Sequence, residues 1–292
     1  MNTFYNKNSL LKKNLFPKKK YKNYKNKPLV SIITICLNSD KTIERTILSV
    51  INQTYQNIEY IIIDGGSIDN TNRIIKKYKN KISVYISEPD LGTSDATNKG
   101  IAIANGEFIA TLSSDDWFNN NFLEILIHDL IKGNYDFIIG SMKVFNANGK
   151  QTSGSANGNA ITNKNIHDRI LNGYGVDYPA LIRSRKILNI IGFYDLKLKY
   201  VNDWDHMLRL CKSNLFTGVI NNKAIVNRGE GGLVDQNYFK FYIEKFTLLF
   251  KYRLNFFKIC KILLLSFLSI TRIFLGTIKL NILKFILKSD TS

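Results

Sequence analysis

The sequence predicts an α/β protein in which helices wind around a Rossmann-like, mostly parallel sheet. Near-continuous apolar runs of strand length indicate strands that are buried on both faces. Segments with apolar residues at four-residue spacing separate these runs and predict amphipathic helices. Regular alternation of the two kinds of segment favours a parallel sheet. Acidic residues also stand where the predicted strands end, which is the ligand-binding edge of such sheets.

The alternating pattern covers the first part of the chain after residue 28. Strands are predicted at Leu29–Leu37, Ile58–Asp64, Ile82–Ser87 and Glu107–Leu112. Helices are predicted between them at Asp40–Asn52, Asp69–Lys79 and Asp95–Ala104. The first helix, for example, carries isoleucines at positions 43, 47 and 51. The second strand is ended by the pair Gly65-Gly66.

After Trp117 the pattern is less regular, although elements can still be assigned. A helix is predicted at Phe122–Ile131, a strand at Tyr135–Phe145 and a turn or hairpin at Asn146–Gly158. A further strand is expected at Val176–Ile182 and a helix at Asp203–Cys211. Residues 28–250 are therefore expected to form one domain. A basic arm, disordered or partly helical, precedes it at 1–27, and a helical segment follows it at 251–292.

Most of the net charge of +18 lies in the two ends of the chain. Residues 1–27 hold nine lysines and no acid, and residues 251–292 hold eight basic residues and one acid, Asp290. Basic ends on a nearly neutral body usually bind anionic lipid or nucleic acid. The alternative is a general bias toward lysine, with these side chains simply solvated.

The C-terminal segment contains the apolar stretch Ile262–Ile278, which Arg272 interrupts. Its 17 residues are at the short limit for crossing a bilayer. A basic, amphipathic helix that lies on the membrane surface fits the composition better. A spanning helix, or a helix packed on the body or on another subunit, remains an alternative.

The cysteines and the N-terminus indicate a reducing compartment. Cys36, Cys211 and Cys260 are far apart and form no CxxC pair, which argues against a disulfide scaffold. The chain has no apolar stretch before Leu29, so no signal peptide is expected. These observations predict a cytoplasmic protein.

Two groups of carboxylates follow predicted strands. Asp115 and Asp116, in LSSDDW, could hold a hard cation such as Mg²⁺ or Mn²⁺, which prefers oxygen ligands. They could equally satisfy the backbone N–H groups of a helix start. Asp64, in IIIDGGSIDNT, could accept N–H donors from a base, or belong to an ordinary turn in which Asp69 caps the next helix. The dinucleotide motif GxGxxG is absent.

Four segments in order resemble motifs of the family 2 glycosyltransferases, which have the GT-A fold. The segments are PLVSIITICLN, IIIDGGSIDNT, SEPDLGTSDATNKGIAIANGE and LSSDDW. The resemblance covers residues 28 to about 232 and is strongest to the branch that builds bacterial O-antigens, capsules and exopolysaccharides. Ser113, Ser94 and Thr97 depart from residues that are common in that branch.

The resemblance implies a donor site at the strand ends. Thr34 and Asn38 would line the nucleotide pocket, Asp64 would bind the base, usually uracil, and Asp90 and Asp95 would border the donor. Asp116 would be the direct ligand of Mn²⁺ or Mg²⁺, with Asp115 nearer the ribose or the sugar. Arg228, in a glycine-rich loop at 228–232, could steady the diphosphate, or belong to a plain surface turn. Tyr178-Pro179 falls where the branch often has His-Pro near the acceptor.

Inverting members also need a carboxylate that acts as general base on the acceptor hydroxyl. Asn202-Asp203-Trp204-Asp205 resembles the late acidic motif of the family, and Asp203 is its better match. Asp203 could instead be only a helix cap, and Asp205 could instead be the base. His128, His167 and His206 show no ligand spacing and are expected to be structural.

The resemblance therefore predicts an inverting transferase that moves a sugar from a UDP-sugar to a lipid-linked glycan acceptor. We expect it to be peripheral on the inner face of the cell membrane, at an anionic surface. The alternatives are a processive polysaccharide synthase and a catalytically inactive scaffold. A nucleic-acid-binding protein would leave Asp64, Asp116 and Asp203 without a role, so no nucleic-acid partner is expected.

Overall fold

The computed structural model describes residues 5–16, 27–146, 148–155, 178–213, 217–232 and 236–252. In these residues nine strands form one sheet, with helices packed on both faces. The strands are β1 Val30–Cys36, β2 Ile58–Asp64, β3 Val84–Ser87, β4 Phe108–Ser113, β5 Trp117–Phe118, β6 Phe137–Phe145, β7 Gln151–Ser155, β8 Leu181–Ser184 and β9 Gly218–Gly229. The helices are α1 Lys7–Lys12, α2 Ile43–Ile51, α3 Thr71–Lys77, α4 Thr93–Ile103, α5 Phe122–Lys132, α6 Arg185–Ile191, α7 Asn202–Ser213 and α8 Tyr238–Lys251.

The first four strands form the parallel half of the sheet, in the order β3-β2-β1-β4. Their carboxyl ends meet at one edge: Cys36 is opposite Asp64 and Ile35 is opposite Ser113. The predicted alternation of strands and helices is confirmed here: α2 and α3 pack in the hydrophobic core on one face of the sheet, and α4 packs in the core on the other. The edge where the acids lie is therefore shared by β1, β2 and β4.

Beyond β4 the sheet is mixed. Strand β8 is antiparallel to β4 and to β6, β9 is parallel to β6, β5 is antiparallel to β9, and β7 is antiparallel to β6. The prediction of a mostly parallel sheet thus applies to the first four strands. The mixed half is assembled from pairings between segments that are distant along the chain.

Helix α4 packs directly on β1 at Gly100. A Cβ added at this position would lie 2.3 Å from Cγ2 of Ile33, well inside van der Waals contact. Glycine therefore allows the close approach of the helix to the strand. Thr93 and Thr97, nearer the start of the same helix, line the cavity described below.

Several elements differ from the sequence prediction. A strand was expected at Val176–Ile182. Instead, Tyr178–Ala180 forms a 3₁₀ turn, and β8 follows it at Leu181–Ser184. Residues 176 and 177 lie outside the described residues. Strand β9 and helices α6 and α8 were not predicted at all. Asparagines interrupt the apolar pattern of β9, and its partner β6 lies far away in the sequence.

Part of the basic arm folds onto the domain. Residues 5–16 include helix α1, and the backbone N–H of Leu15 donates to the carbonyl oxygen of Tyr85 at 2.8 Å on the outer edge of β3. The Lys13 ammonium pairs with Glu88 at 2.5 Å. The expectation of a partly helical arm is confirmed for these residues, and the arm covers an exposed strand edge.

The predicted C-terminal segment, residues 251–292, lies outside the described residues apart from Lys251 and Tyr252. This includes the apolar stretch Ile262–Ile278. Within the part of the chain that the structure describes, every helix is too short or too polar to cross a bilayer.

Candidate active site

A cavity of about 550 Å³ lies at the carboxyl end of β4, where the parallel and mixed halves of the sheet meet. It brings together three of the acids that the sequence singled out: Asp115, Asp116 and Asp203. Other residues in its wall come from β9, α7 and α8, including Arg228, Trp204, Tyr238 and Phe241. Both the parallel half of the sheet and the elements of the mixed half therefore contribute residues to the cavity wall.

The turn that carries Asp115 and Asp116 is held by α2. The Thr46 hydroxyl contacts the carbonyl oxygens of Ser114, at 2.8 Å, and of Asp116, at 2.7 Å. The Arg45 guanidinium donates to the Asp115 carbonyl oxygen at 3.1 Å and lies 3.5 Å from the centroid of the Trp117 ring. The two carboxylates thus project from a turn whose backbone is already fixed by other groups.

Strand β9 approaches the same turn closely. A Cβ added at Gly229 would lie 2.9 Å from the carbonyl oxygen of Asp115. Only glycine allows this contact, after which the chain runs on past the carboxylate of Asp115 to Gly232. The predicted glycine-rich loop therefore does lie over the acids, and Arg228 lines the cavity beside them.

Asp116 is almost completely buried, with 3% of its surface exposed. Its Oδ1 atom has no hydrogen-bond partner among the described residues. Burial, and then the neighbouring charge of Asp115, raise the pKa of Asp116 well above its usual range, although Arg228 and the Gly229 N–H oppose the shift. A buried carboxylate oxygen without a donor is costly unless a cation or proton compensates it.

The Asp115–Asp116 pair fits a divalent cation. No cluster of three or more potential metal-ligating side chains occurs within the described ranges. Mg²⁺ nevertheless commonly uses one or two protein carboxylates and takes its remaining ligands from water and substrate phosphates. The unpartnered Oδ1 of Asp116 at the cavity wall is the atom that such an ion would satisfy.

Asp203 lies in the first turn of α7 and lines the cavity. Its Oδ1 accepts a hydrogen bond from the Trp204 backbone N–H at 2.7 Å. Burial raises the pKa of Asp203 to about 6, while Lys245 and Arg228 act in the opposite direction. A carboxylate with this pKa is ionised at neutral pH and is still a useful proton acceptor.

Asp205, two residues further on, has a different environment. It is 1% exposed and does not line the cavity. Its carboxylate accepts from Arg209 Nε at 2.9 Å, Tyr252 OH at 2.7 Å and Lys251 Nζ at 3.3 Å. These bonds tie α8 to α7, so the contacts of Asp205 are structural.

Lys245 was not singled out in the sequence, although it lies close to the candidate base. Its ammonium group is 4.2 Å from the centroid of the Trp204 ring. Burial lowers the pKa of Lys245 to about 8, and the charge of Asp203 opposes this shift. Sequence spacing carries no signal for this contact, because α8 reaches α7 only through the tertiary fold.

A second group of acids lies beside the cavity at the end of β2. Asp64 is fully buried and accepts from the Ser67 N–H at 3.1 Å and the Ser87 hydroxyl at 2.6 Å. Asn72 also contacts it, at 3.4 Å. Asp90 lies against this strand end, since a Cβ added at Gly65 would be 2.8 Å from its Oδ2. Burial raises the pKa of Asp90.

Asn38 lies at the end of β1 with its backbone in the left-handed region, at φ 48°. Its side-chain oxygen accepts from the Ile68 N–H at 3.0 Å, and its own N–H donates to Ser67 at 2.8 Å. It is exposed beside the Asp64 turn. The structure therefore groups Asn38, Asp64 and Asp90 around the ends of β1 and β2, next to the cavity rather than in its wall.

The side chains of Thr34 and Asp95 lie away from the cavity. Thr34 is fully buried, and its hydroxyl lies 3.2 Å from that of Tyr60 in the core. Successive strand residues face opposite sides, so Ile35 and not Thr34 reaches the cavity wall. Asp95 instead bonds to Tyr5 of the arm at 2.7 Å and pairs with Lys99 at 3.1 Å. The expectation that these two side chains contact the donor gains no support from the geometry.

Tyr178 lies in the cavity wall. It stands at the sequence position where the resemblance led us to expect a histidine near the acceptor. Its hydroxyl is a short hydrogen-bond partner of the fully buried Arg183 guanidinium, which also contacts Nδ1 of His206 at 3.3 Å. His206 is stacked on Tyr194, and burial lowers its pKa well below the usual range. This cluster is packed behind the wall and supports the structural role expected for His206.

The chain is similar in sequence to one protein family and to several individual bacterial proteins. Residues 31–188 match the model of the family described as "Glycosyl transferase family 2". A relative in Escherichia coli, "UDP-Glc:alpha-D-GlcNAc-diphosphoundecaprenol beta-1,3-glucosyltransferase WfgD", is 32% identical over 167 residues. That match covers 56% of this chain and 64% of the relative, which is less than two thirds of its length. An uncharacterized glycosyltransferase of Haemophilus influenzae is 28% identical over 232 residues, covering 77% of this chain and 89% of that protein.

The fold is similar to that of a solved structure from S. aureus. Residues 1–349 of TarS from S. aureus align with a TM-score of 0.61 and 20% identity, covering 80% of this chain and 70% of that one. The same TarS fragment has been solved in complex with UDP and with UDP-GlcNAc. At this identity the likeness shows the shared GT-A fold and no more.

Proposed function

Because this chain belongs to glycosyl transferase family 2, we propose that it transfers a sugar from a nucleotide diphosphate donor to a lipid-linked glycan, with inversion at the anomeric carbon. It is a glycosyltransferase, and it has the predicted GT-A fold. The observation that carries the proposed mechanism is the pairing of two acids across one cavity. Asp116 presents a buried, unpartnered oxygen, and Asp203 has a pKa of about 6.

Asp203 is the proposed general base. As the acceptor hydroxyl oxygen forms its bond to the anomeric carbon, the bond from that carbon to the diphosphate oxygen breaks. The hydroxyl proton passes to the carboxylate of Asp203, and the negative charge leaves with the nucleotide diphosphate. Attack from the face opposite the leaving group inverts the configuration. The engagement of Asp205 with Arg209, Lys251 and Tyr252 supports Asp203 over Asp205 in this role.

Asp116 would hold the divalent cation, Mn²⁺ or Mg²⁺, with Asp115 beside it. When bound, the ion supplies positive charge that stabilises the leaving diphosphate. Arg228 lines the same cavity and adds a guanidinium on the side of the β9 loop. Asp116 and Arg228 are thus proposed to bind and orient the diphosphate, while Asp203 handles the proton.

UDP is the proposed nucleotide. The name of the E. coli relative specifies a UDP-sugar, and TarS binds UDP and UDP-GlcNAc. In this chain Asn38, Asp64 and Asp90 surround the strand ends next to the cavity, where the base and ribose would lie. Since Ser67 and Ser87 already donate to Asp64, we propose that Asp64 acts mainly by shaping this turn and its local charge.

The proposed acceptor is a glycan on a membrane lipid carrier, in bacterial surface polysaccharide synthesis. The E. coli relative is named for a diphosphoundecaprenol acceptor, which supports this class. An acceptor of this kind would require the enzyme to work at the inner face of the cell membrane, as a peripheral protein on an anionic surface. The basic residues at 251–292 are consistent with such a place.

The test is to incubate the purified protein and Mn²⁺ with UDP-, GDP- and dTDP-sugars and a short-chain lipid diphosphate sugar acceptor. We expect acceptor-dependent release of UDP from one UDP-sugar, and a product whose new anomeric centre is inverted, as read by NMR. Turnover with retained configuration would contradict the role of Asp203. Absence of turnover with every donor would contradict the proposed donor class.

A further inference from the structure

Helix α8 has two apolar faces, and only one of them packs on the domain. Phe241 and Leu248 face Val201 and Leu208 of the α7 region in a small hydrophobic cluster. Four large apolar residues project to the other side: Phe239, Ile243, Phe246 and Phe250. Phe239 is 78% exposed, Phe250 55% and Ile243 52%. We call these four residues the α8 stripe.

The stripe is narrow and continuous. At 100° per residue its four members lie within an arc of about 60° on the helix surface. That arc is opposite the buried face that contains Phe241 and Leu248. Phe246 and Phe250 contact each other edge to face, with ring centroids 4.7 Å apart. A contiguous exposed surface of this kind is a signal of binding, since isolated apolar residues are common and contiguous ones are not.

Basic residues accompany the stripe. Lys240 is exposed, and the side chain of Lys251 is 51% exposed while it pairs with Asp205 and Asp195. The Lys199 backbone N–H donates to Glu244, which lies about 130° around α8 from the centre of the stripe, and this places the exposed Lys199 beside the helix. An apolar face with lysines at its border is typical of helices that lie in the interface of an anionic bilayer.

The position of α8 connects this surface to the active site. Tyr238 and Phe241, in its first turn, line the cavity that holds Asp116 and Asp203. Phe239, the first member of the stripe, follows Tyr238 directly. The first turn of α8 therefore has the cavity on its packed side and the stripe on its exposed side.

We propose that the α8 stripe is a membrane-docking surface, which inserts its aromatic side chains into an anionic bilayer and brings the cavity to the lipid-linked acceptor. The link to the acceptor rests on the proposed function, whereas the docking itself does not. Charge favours this occupant over a second copy of the chain. Lys240 and Lys251 of α8 are exposed and the chain has a net charge of +18, so pairing two copies through the stripe would bring like charges together.

The experiment measures flotation of the full chain with vesicles of phosphatidylglycerol and phosphatidylcholine, and with phosphatidylcholine alone. The test variant combines Phe239→Ser, Phe246→Ser and Phe250→Ser. The control variant combines Leu15→Ser, Ile131→Ser and Ile190→Ser, which are similarly exposed on other elements. We expect the wild type and the control to bind the anionic vesicles, and the test variant to bind roughly tenfold less or weaker still.

A single substitution, Phe250→Trp, gives a second readout. Its fluorescence should be quenched by lipids brominated on their acyl chains, beyond any quenching of the native tryptophans in the wild type. Equal flotation of test variant and wild type, no flotation of the wild type, or a dimer that only the test variant disrupts would each overturn the proposal. UDP release with a soluble acceptor separates the docking proposal from the proposed function. It should be equal in the wild type, the test variant and the control variant, whether or not they bind vesicles.

Discussion

The carboxylates at the end of β2 and those of the central cavity have opposite surroundings. Asp64 accepts from Ser67, Ser87 and Asn72, so the protein itself supplies its donors. Asp116, in the turn that follows β4, keeps one buried oxygen without a described partner. Asp203 accepts from the Trp204 backbone N–H, and burial raises its pKa to about 6.

The contrast separates acids that hold the structure from acids that are available for chemistry. A carboxylate whose oxygens are all bonded stabilises the fold and has little left to offer a substrate. A carboxylate that is buried with few donors is costly for the fold and reactive toward protons and cations. The same contrast occurs within one turn of α7, between Asp203 and Asp205.

The largest effect is expected at Asp116. Asp116→Asn should lower turnover roughly 10³-fold, because the bound cation contributes several kcal/mol of charge stabilisation. EDTA should inactivate the wild type, and added Mn²⁺ should restore it. Asp195→Asn, a partly exposed acid outside the cavity, is the control and should change neither activity nor metal response. Full activity of the wild type in EDTA would contradict the metal site.

Asp203→Asn should have the next largest effect. It keeps the shape of the side chain and removes the proton acceptor, so kcat should fall by roughly 10²–10⁴. The dissociation constant of the donor, measured by calorimetry, should change little. Stability should be retained or increase at neutral pH, because a carboxylate with a raised folded pKa disfavours folding above that pKa. Near-normal kcat in this variant would exclude Asp203 as the base.

Asp205→Asn should have the opposite effect to Asp203→Asn, with lower stability and little change in turnover. Loss of the charge that pairs with Arg209 and Lys251 should lower the free energy of unfolding by about 2–4 kcal/mol. Because this residue lies outside the cavity wall, kcat of the folded fraction should stay within about tenfold of the wild type. Urea titration followed by circular dichroism measures the first quantity. A stable variant with no turnover would mean that the base is Asp205.

The smallest effect is expected at Lys245. Lys245→Met removes a positive charge near Asp203 while keeping an apolar chain on Trp204. The pKa of Asp203 should rise, and the acidic limb of the pH–rate profile should move up by about half a pH unit. Lys240→Met, on the exposed side of α8, is the matched control. An unchanged profile would show that Lys245 does not influence the base.

The parallel half could be predicted because its signals are local. The apolar runs of β1, β2 and β4 fix their burial, and parallel pairing brings their final residues to one edge. The apolar run alone does not show which face of the sheet the Thr34 side chain is on. Side chains alternate between the two faces along a strand, and that of Thr34 is on the core side, next to Tyr60.

The mixed half of the sheet depends on strand pairings between distant segments, which no local sequence pattern indicates. Strand β9 pairs with β6 across a long separation in sequence, and Lys245 of α8 comes close to Asp203 only through the tertiary fold. Asp95 was expected at the donor because its motif matches, but Tyr5 of the arm takes up its carboxylate. Contacts from outside the core motifs therefore decide which motif residues are available to a ligand.

The most direct test is the pH dependence of kcat/KM for UDP release by the wild type and by Asp203→Asn. A general base must be ionised, so log kcat/KM of the wild type should fall with a slope of one as pH decreases below about 6. The residual activity of Asp203→Asn should lack this acidic limb. A limb that persists at the same pH in the variant would assign the titration to another group and contradict the account.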